Sequence, residues 1–271
     1  MSLNFEDPYT ERTPRVVNAA KLHRSAARKK TGLFLVEGEN SVEAAVATGA
    51  ARDLFITEEA AARYADIVQT AQHLGLYLHP ITARAAKSLS DTVTSPGIYA
   101  VCEPVLWSTA QALRGKPRLV SVPVETSDPG NAGTLIRIAD AVGADAVIFL
   151  GHSVDPQSSK AVRSSAGSLF HLPVAREVNI ASGIARLKAS GLNIVATAAD
   201  GEIDLDNAGE ILSQPTAWLF GNEAHGLSEE ILALADSRVR IPIRGRAESL
   251  NLATAAAICL YESSKALYSQ N

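Results

Sequence analysis

Short apolar runs alternate with helical stretches along the second half of the chain. The stretches between the runs repeat their apolar residues every three or four positions, which is typical of helices packed on one face. Short apolar strands alternating with helices predict a parallel sheet covered on both faces. The predicted strands are Leu119–Glu125, Ala146–Leu150, Asn193–Thr197, Ala217–Phe220 and Val239–Ile243.

The first hundred residues show the same alternation on a smaller scale. The predicted strands there are Leu33–Val36, Asp53–Thr57, Tyr77–Ile81 and Ile98–Cys102, and a basic helix is expected over Arg12–Lys30. Between the two halves, residues 103–117 contain two prolines, a glycine and no strong periodicity, which predicts a domain boundary. We therefore expect a small α/β domain over 1–103, a linker over 104–117 with a short helix at 109–113, and a second α/β domain over 118–271.

The bulk composition excludes several classes of protein. The chain has 271 residues, 46% hydrophobic and 20% charged, which is enough for one large or two ordinary domains with real cores. No apolar run approaches the roughly 18 residues that span a bilayer, and the first residues lack the apolar core of a secretory signal. Cys102 and Cys259 lie far apart without a Cys/His cluster. We expect a cytoplasmic protein with no membrane segment, no disulfide and no metal.

The charges are unevenly distributed. The formal net charge of −4 argues against a protein that coats nucleic acid nonspecifically. Residues 12–36 nevertheless carry no Asp or Glu, and their seven cations are Arg12, Arg15, Lys21, Arg24, Arg28, Lys29 and Lys30. Such a run is often only a solvated helix face. Because its charge is one-sided, we favour an RNA phosphate surface, with Arg24, Arg28, Lys29 and Lys30 as the RNA-binding residues.

Polar loops follow the predicted strands of the second domain, at the sheet edge where ligands bind in such folds. After the first strand, Asp128-Pro129-Gly130 leads into a helix with Asn131 as its expected N-cap. In that helix Arg137 lies about 200° of helical arc from the core residue Leu135. Its side chain is therefore expected to pair with Asp140 on the surface, or to reach a phosphate or a partner subunit.

Two further polar loops leave the same edge. The fourth predicted strand of this domain runs into Gly221-Asn222-Glu223, with Gly226 closing the turn. The fifth is followed by Glu248-Ser249-Leu250-Asn251, which opens a long helix rich in small residues. Taken alone, this last segment predicts either a capped helix, with Ser249 as the cap, or a ligand site at a helix N-terminus.

In this order the three loops resemble the motifs of the SpoU (TrmH-type) group of the SPOUT superfamily of RNA ribose methyltransferases. The resemblance covers about 119–268 and rests on Asn131-x-Gly133 with Arg137, on Gly221-Asn222-Glu223 with Gly226, and on Ile241-Pro242 followed by the polar segment 248–251. Residues 162–167 look like the segment that this family carries between its motifs. Lys21 and the segment 34–38 are more loosely similar to the family's substrate-recognition domain, which has a ribosomal-protein-like fold that binds kinked RNA.

The resemblance implies a fold and a site. It implies a SPOUT domain with a deep trefoil knot, a homodimer whose site lies at the interface, and S-adenosylmethionine as the cofactor. The cofactor would lie against Thr197, Ala198, Gly221, Ile241 and Leu250. The catalytic residues would be Asn131, Glu223, Ser249 and Asn251, which frame the reacting ribose hydroxyl, with Arg137 binding the adjacent phosphate and helping to handle the proton. Arg163 would anchor the backbone of the target nucleotide.

The reaction expected from the resemblance is methyl transfer to a ribose 2′-hydroxyl in RNA. Ribosomal RNA, 23S above all, is favoured because the first domain resembles that of ribosomal members. The alternatives are a transfer RNA enzyme and an RNA-binding module without catalysis. A nicotinamide enzyme is disfavoured because the glycine fingerprint is missing. The sequence leaves open the target nucleotide, the general base, and whether the role is routine maturation or antibiotic resistance.

Overall fold

The computed structural model describes residues 3–268 and divides the chain into two compact units. Unit 1 contains the chain up to Val105 together with Pro156–His171, and unit 2 contains Leu106–Asp155 together with the chain from Leu172 onward. The first break lies close to the expected boundary at 103. The later segment 156–171, expected within the second domain, packs with unit 1, so a division at one point of the chain does not describe these units.

Eleven strands and thirteen helices are numbered along the described chain. The strands are β1 (Phe34–Glu37), β2 (Ala51–Ile56), β3 (Tyr77–Pro80), β4 (Ile98–Cys102), β5 (Leu119–Pro123), β6 (Ala146–Leu150), β7 (Val174–Glu177), β8 (Asn193–Thr197), β9 (Ile203–Asp204), β10 (Thr216–Phe220) and β11 (Ser237–Arg240). The helices are α1 (Pro14–Ala20), α2 (Ser25–Thr31), α3 (Glu39–Ala47), α4 (Glu58–Arg63), α5 (Ala65–His73), α6 (Ala83–Leu89), α7 (Thr109–Ala112), α8 (Pro129–Ala141), α9 (Ser159–Ser165), α10 (Ile180–Ala189), α11 (Gly209–Leu212), α12 (Glu229–Leu232) and α13 (Leu252–Tyr268).

Unit 1 is built on a four-stranded sheet of order β1-β4-β2-β3. β4 is antiparallel to both of its neighbours, while β2 and β3 are parallel with Asp53 opposite Tyr77. Thr57 caps α4 and Thr82 caps α6, each accepting a hydrogen bond from the backbone N–H three residues on. One core cluster of this unit includes Val16, Leu22, Phe55, Leu89 and Tyr99.

The basic helix expected over 12–30 is broken in the structure. α1 ends at Ala20, a short 3-10 turn covers Lys21–His23, and Arg24 is extended before α2 begins. The guanidinium of Arg28 donates to the carbonyl oxygens of Leu22 (3.1 Å) and His23 (3.0 Å). These are carbonyls that a continuous helix would bond through its own backbone, so the side chain stabilises the break.

Unit 2 is built on a seven-stranded sheet of order β7-β6-β5-β10-β8-β11-β9 in which every pairing is parallel. β5, β6 and β10 are fully buried, and the register of the central pair sets Leu119 opposite Thr216. This confirms the predicted parallel α/β domain. From β5 the chain adds strands first on one side of the sheet and later on the other, so a crevice forms beyond the carboxyl ends of β5 and β10.

The long last helix is anchored on the middle of the sheet. The indole N–H of Trp218 on β10 donates to the Ser263 hydroxyl of α13 at 2.7 Å, and both side chains are fully buried. The Ser264 hydroxyl donates to the carbonyl oxygen of Val142, just after α8, at 2.7 Å. Because α13 is held at this end, its first residues are placed at the edge where the polar loops emerge.

Several boundaries differ from the sequence predictions. β7 and β9, at the two edges of the sheet, had no counterpart among the predicted strands, and β11 ends at Arg240 rather than Ile243. Asp128, not Asn131, caps α8: its carboxylate accepts from the Asn131 backbone N–H at 2.8 Å. Asn251, rather than Ser249, caps α13 by accepting from Ala253 N–H at 2.9 Å.

Residues 3–268 lack two kinds of feature. None of their helices is long and apolar enough to cross a membrane. They also contain no group of three or more His, Cys, Asp and Glu side chains that could hold a metal ion.

Candidate active site

A cleft of about 660 Å³ lies in unit 2 beyond the carboxyl ends of β5 and β10. All three polar loops contribute to its walls. The lining residues used below are Ser127, Asp128, Asn131, Gly221, Asn222, Glu223, Ser249 and Asn251. The folding of a parallel sheet therefore brings together four of the five residues predicted to be catalytic, although more than a hundred positions separate the first loop from the last in the sequence.

Glu223 makes the densest set of hydrogen bonds in the cleft. One carboxylate oxygen accepts from Ser127 N–H at 3.1 Å and from the Ser127 hydroxyl at 3.0 Å. The other accepts from Asp128 N–H at 3.2 Å and from the Asn131 side-chain amide at 3.1 Å. Glu223 thus ties the loop after β10 to the start of α8.

The surroundings of Glu223 favour its ionised form. Burial opposes ionisation, but hydrogen bonds from its own backbone, from Ser127 N–H, from the Asn131 amide and from Asp128 N–H outweigh it, so the pKa of Glu223 lies below its ordinary value. A carboxylate that accepts so many hydrogen bonds holds its charge at neutral pH and has few free lone pairs.

Asn131 and Asn251 connect the first loop to the third. The side-chain amide of Asn251 donates to the Asn131 side-chain oxygen at 3.3 Å. The Asn251 side-chain oxygen in turn accepts from the backbone N–H groups of Ala253 (2.9 Å) and Thr254 (3.3 Å). Both asparagines line the cleft, and their orientation is determined by the elements on either side.

The loop after β10 is a compact turn. Asn222 and Gly226 exchange backbone hydrogen bonds of 3.0 and 2.9 Å, and Gly226 has a φ of 68°, a left-handed conformation that favours glycine. The Asn222 side chain donates to the carbonyl oxygen of Glu125 at 2.6 Å. Glu125 itself has a φ of 51°, so the loops after β5 and β10 meet through a residue in an uncommon backbone conformation.

A smaller cavity of about 160 Å³ adjoins the cleft and is more apolar in character. Its walls include Thr197, Ala198, Ile241, Ser249 and Leu250, of which Thr197, Ser249 and Leu250 also line the larger cleft. Within the described chain, residues 242–250 make no backbone hydrogen bond. Their N–H and C=O groups are therefore available to a ligand. Four of the five predicted cofactor-binding residues lie here, and Gly221 lines the adjoining cleft.

Arg137 lies outside both cavities. It is exposed on α8, six residues beyond Asn131, and its guanidinium makes no hydrogen bond or ion pair within the part of the chain that the structure describes. One copy of the chain therefore does not bring Arg137 into contact with the other predicted catalytic residues. The expected alternative, a surface pair with Asp140, is likewise not formed.

The predicted RNA-binding residues have two kinds of surroundings in unit 1. Arg24, Lys29 and Lys30 are exposed, and their side chains make no ion pair within residues 3–268. Arg28 is buried and bound to carbonyl oxygens, as described above. Arg163 pairs with the buried Glu37 at 2.7 Å and with Asp91 at 3.1 Å. Arg28 and Arg163 thus have structural partners that the sequence did not reveal.

The sequence prediction gave no role in the site to three residues that hold the cleft together, namely Ser127, Asp128 and Asn222. Asp128 could have been recognised, because an Asp directly before a Pro is a common N-cap followed by proline at the first helical position. Ser127 and Asn222 act through partners about a hundred positions away, at Glu223 and Glu125, and no local pattern indicates such pairs.

Two family models match the chain. The SpoU rRNA methylase family matches residues 118–261, and the MRM3-like substrate binding domain matches residues 13–100. The first match covers the seven-stranded sheet and all three polar loops. The second covers most of the part of unit 1 that precedes the linker.

Among known proteins, the chain is 35% identical over 242 residues to the 23S rRNA (guanosine(2553)-2′-O)-methyltransferase RlmP of Bacillus subtilis. That match covers 89% of this chain and 92% of the relative. The prediction of an RNA ribose methyltransferase is confirmed at the level of the family by such relatives.

Two solved structures with S-adenosylmethionine bound have the same fold. The rRNA methyltransferase from Sinorhizobium meliloti superposes with a TM-score of 0.82 at 29% identity, covering 93% of this chain and 95% of its own. The SpoU methyltransferase AviRb from Streptomyces viridochromogenes gives a TM-score of 0.82 at 30% identity, covering 95% and 100%. They confirm the predicted cofactor for the family. By its sequence motifs, its sheet and these matches, the chain belongs to the SpoU rRNA methylase family.

Proposed function

We propose that this protein transfers a methyl group from S-adenosylmethionine to a ribose 2′-hydroxyl of ribosomal RNA, with 23S RNA as the preferred substrate, in the cytoplasm. The observation that carries the proposal is the bridge across the cleft, where Asn131 bonds to Glu223 on one side and to Asn251 on the other. Three loops that are distant in sequence converge on one polar cleft beside an apolar cavity. That is the arrangement that a methyl donor and a ribose acceptor require side by side.

The residues around the smaller cavity suit the cofactor. Ala198, Ile241 and Leu250 offer apolar surface for an adenine ring, and the free backbone groups of 242–250 can bond to its polar edge. Bound there, S-adenosylmethionine supplies an electrophilic methyl group. Thr197 and Gly221 complete the set, with the Thr197 hydroxyl held by the carbonyl oxygen of Leu219 at 3.0 Å. The proposed fold includes the trefoil knot that the family resemblance implies.

On the acceptor side, we assign positioning of the ribose to Asn131, Glu223, Ser249 and Asn251. Holding a weak nucleophile in line with the methyl group can supply much of the barrier reduction. Arg137 would bind the phosphate next to the target ribose and assist removal of its proton. Since Arg137 lies outside the cleft of its own chain, the proposal includes a homodimer in which Arg137 of one copy completes the site of the other.

RNA binding by unit 1 is assigned to its exposed cations. Arg24, Lys29 and Lys30 present unpaired positive charge to solvent, which fits phosphate contacts. The structure gives Arg28 and Arg163 buried partners, so we assign them to the integrity of unit 1 rather than to phosphate contacts. The substrate match within residues 13–100 supports the placement of RNA on this unit.

The test is methylation of ribosomal RNA with labelled S-adenosylmethionine by the wild type and by Arg137→Ala. The variant should lose at least about 100-fold in kcat, because phosphate and proton are no longer handled, while calorimetry should show unchanged cofactor affinity. Arg186→Ala, a change at an exposed arginine of α10, is the matched control and should retain full turnover. Near-normal turnover of Arg137→Ala would remove this residue from the mechanism. Methylation of transfer RNA in place of ribosomal RNA would overturn the proposed substrate.

A further inference from the structure

The hydrogen bonds across the cleft form one continuous series with a single direction. Backbone N–H groups of Ala253 and Thr254 donate to the Asn251 side-chain oxygen. The Asn251 amide donates to the Asn131 oxygen, and the Asn131 amide donates to the Glu223 carboxylate. Every step therefore points from the start of α13 towards Glu223.

Both ends of this series are fixed chemically. A backbone N–H acts only as a hydrogen-bond donor, and an ionised carboxylate acts only as an acceptor. A side-chain amide could be rotated to exchange its oxygen and nitrogen, but rotation of Asn251 would set its NH₂ against two helix N–H groups. Rotation of Asn131 would set its oxygen against the carboxylate. The orientation of both amides thus follows from their surroundings.

The fixed orientation determines what this wall of the cleft offers a ligand. Each amide nitrogen carries two N–H bonds and uses one of them within the series, so each asparagine keeps a second N–H. The Asn251 oxygen already accepts from two backbone groups, and the Asn131 oxygen accepts from Asn251. The wall is therefore rich in donors and has few free acceptors.

We infer that Glu223 is a positioning residue that sets the direction of the Asn131–Asn251 pair, so that the cleft binds an oxygen that only accepts hydrogen bonds, and that it does not take the substrate proton. This rests on the proposed function for the identity of the ligand, which is an RNA backbone oxygen or the carboxylate of the methyl donor. The low pKa of Glu223 is consistent with this role, because the carboxylate remains ionised and fully hydrogen-bonded.

The first experiment needs neither RNA nor turnover. Side-chain amide signals in ¹H–¹⁵N spectra are assigned by their loss in Asn131→Ala and Asn251→Ala. In the folded Glu223→Gln variant the signals of both asparagines should move, because a glutamine amide sets an NH₂ group against at least one of the donors at Ser127, Asp128 and Asn131. In Asn193→Asp, an amide-to-acid change at the opposite end of β8, they should stay in place. Unmoved Asn131 and Asn251 signals in Glu223→Gln would overturn the inference.

The second experiment introduces a negative charge at position 251. In Asn251→Asp the new carboxylate still accepts from the α13 backbone but faces the Asn131 oxygen, so Asn131 must rotate away from Glu223. We expect a roughly 10- to 100-fold loss of kcat or of affinity, and none in Asn193→Asp. Loss of RNA affinity alone identifies an RNA oxygen as the ligand, and loss of S-adenosylmethionine affinity alone identifies its carboxylate. Wild-type values of kcat and of both affinities in Asn251→Asp would contradict the inference.

The pH profile separates positioning from proton transfer. If Glu223 orients the amides, Glu223→Gln lowers kcat by a similar factor at every pH and leaves the acid limb of the profile in place. If Glu223 were the base, the substitution would remove that limb. Should no RNA be methylated by the wild type, the proposed function fails, while the amide spectra still decide the inferred role of Glu223.

Discussion

Gly221 shows how a single residue limits the geometry of the cleft. A Cβ atom added there would lie 2.4 Å from the carbonyl carbon of Gly226 and 2.6 Å from the nitrogen of Leu227. Both are backbone atoms, and they belong to the turn that Asn222 and Gly226 close with two hydrogen bonds. A side chain at this position therefore requires the turn to move, and with it Glu223.

We predict that Gly221→Ala destabilises the protein by about 1–3 kcal/mol, as overpacking does, and weakens cofactor binding. Gly209→Ala is the matched control, since nothing lies within 4 Å of the added methyl group. Urea unfolding and calorimetry with S-adenosylmethionine measure the two effects. Wild-type stability together with wild-type affinity in Gly221→Ala would show that the turn adapts at no cost.

At the scale of elements, the sequence predicted the buried strands and missed the edge ones. Strands such as β6 are buried along their whole length and leave continuous apolar runs in the sequence. β7 is buried only in its first half, and β9 has only two residues, so neither leaves a pattern of its own. The break between α1 and α2 was equally hidden, because His23 bonds to Ser159, 136 positions away.

The site could be predicted to a similar extent. The family resemblance predicted catalytic roles for Asn131, Glu223, Ser249 and Asn251, and the structure places these four residues around one cleft. The hydrogen bonds among them depend on contacts such as Asn251 to Asn131, 120 positions apart, and periodicity carries no information about these. The acids that bind Arg163, Glu37 and Asp91, were missed for the same reason, since they lie 126 and 72 positions away. Arg28 was missed because its carbonyl partners at Leu22 and His23 become free only where the helix breaks.

Three elements of unit 1 meet at one ionised group. Asp53 on β2 bonds to His79 on β3 at 2.7 Å and to Arg15 on α1 at 2.9 Å. Burial raises the pKa of Asp53, but the hydrogen bond and charge of His79, with the charges of Arg15 and Arg52, outweigh it and hold the pKa below its ordinary value. A lowered pKa means that the stabilisation is present above the unfolded value and is lost as the pH falls through the folded value.

We therefore predict that wild-type stability declines below about pH 4 more steeply than that of Asp53→Asn. At neutral pH, Asp53→Asn should be less stable by roughly 1–3 kcal/mol, because His79 and Arg15 lose their charged partner. Asp66→Asn, a change at an exposed acid of α5, serves as the control. Urea unfolding across the acid range measures this, and parallel pH curves for the wild type and Asp53→Asn would contradict it.

For the whole molecule, the net charge of −4 does not show that we assign different tasks to the two units. We propose that the exposed cations of unit 1 bind RNA and that the loops of unit 2 carry the reaction. Several carboxylates of unit 1 already pair with other arginines: Glu103, Glu59 and Glu11 pair with Arg52, Arg63 and Arg84. Arg24, Lys29 and Lys30 are exposed and make no ion pair within residues 3–268.

Neutralising Arg24, Lys29 and Lys30 together to Gln should weaken RNA binding and reduce the slope of log K against log salt by about 2–3. Neutralising Arg52, Arg63 and Arg84 removes the same number of charges, but from cations already offset by acids, and should change the slope much less. Filter binding over a salt series measures both slopes. Equal slopes for the wild type and the first variant would mean that these cations only face solvent.

The proposed homodimer gives a prediction about mixed assemblies. Arg137→Ala and Asn251→Ala should each be inactive alone. If Arg137 acts on the partner's site, a dimer of the two variants has one site with both residues intact, and mixing should restore up to about a quarter of wild-type turnover when subunits exchange at random. If the mixed variants stay inactive after subunit exchange, both residues act in the site of a single chain.

The assignment of Pro156–His171 to unit 1 has a consequence for synthesis on the ribosome. Domains generally fold in the order in which they leave the ribosome, the first one before the second is made. Here α9 packs against β1, and the carboxylate of Glu37 receives its arginine only from position 163. The first unit of this chain must wait, with β1 incompletely covered, until the first two strands of the second unit have already emerged.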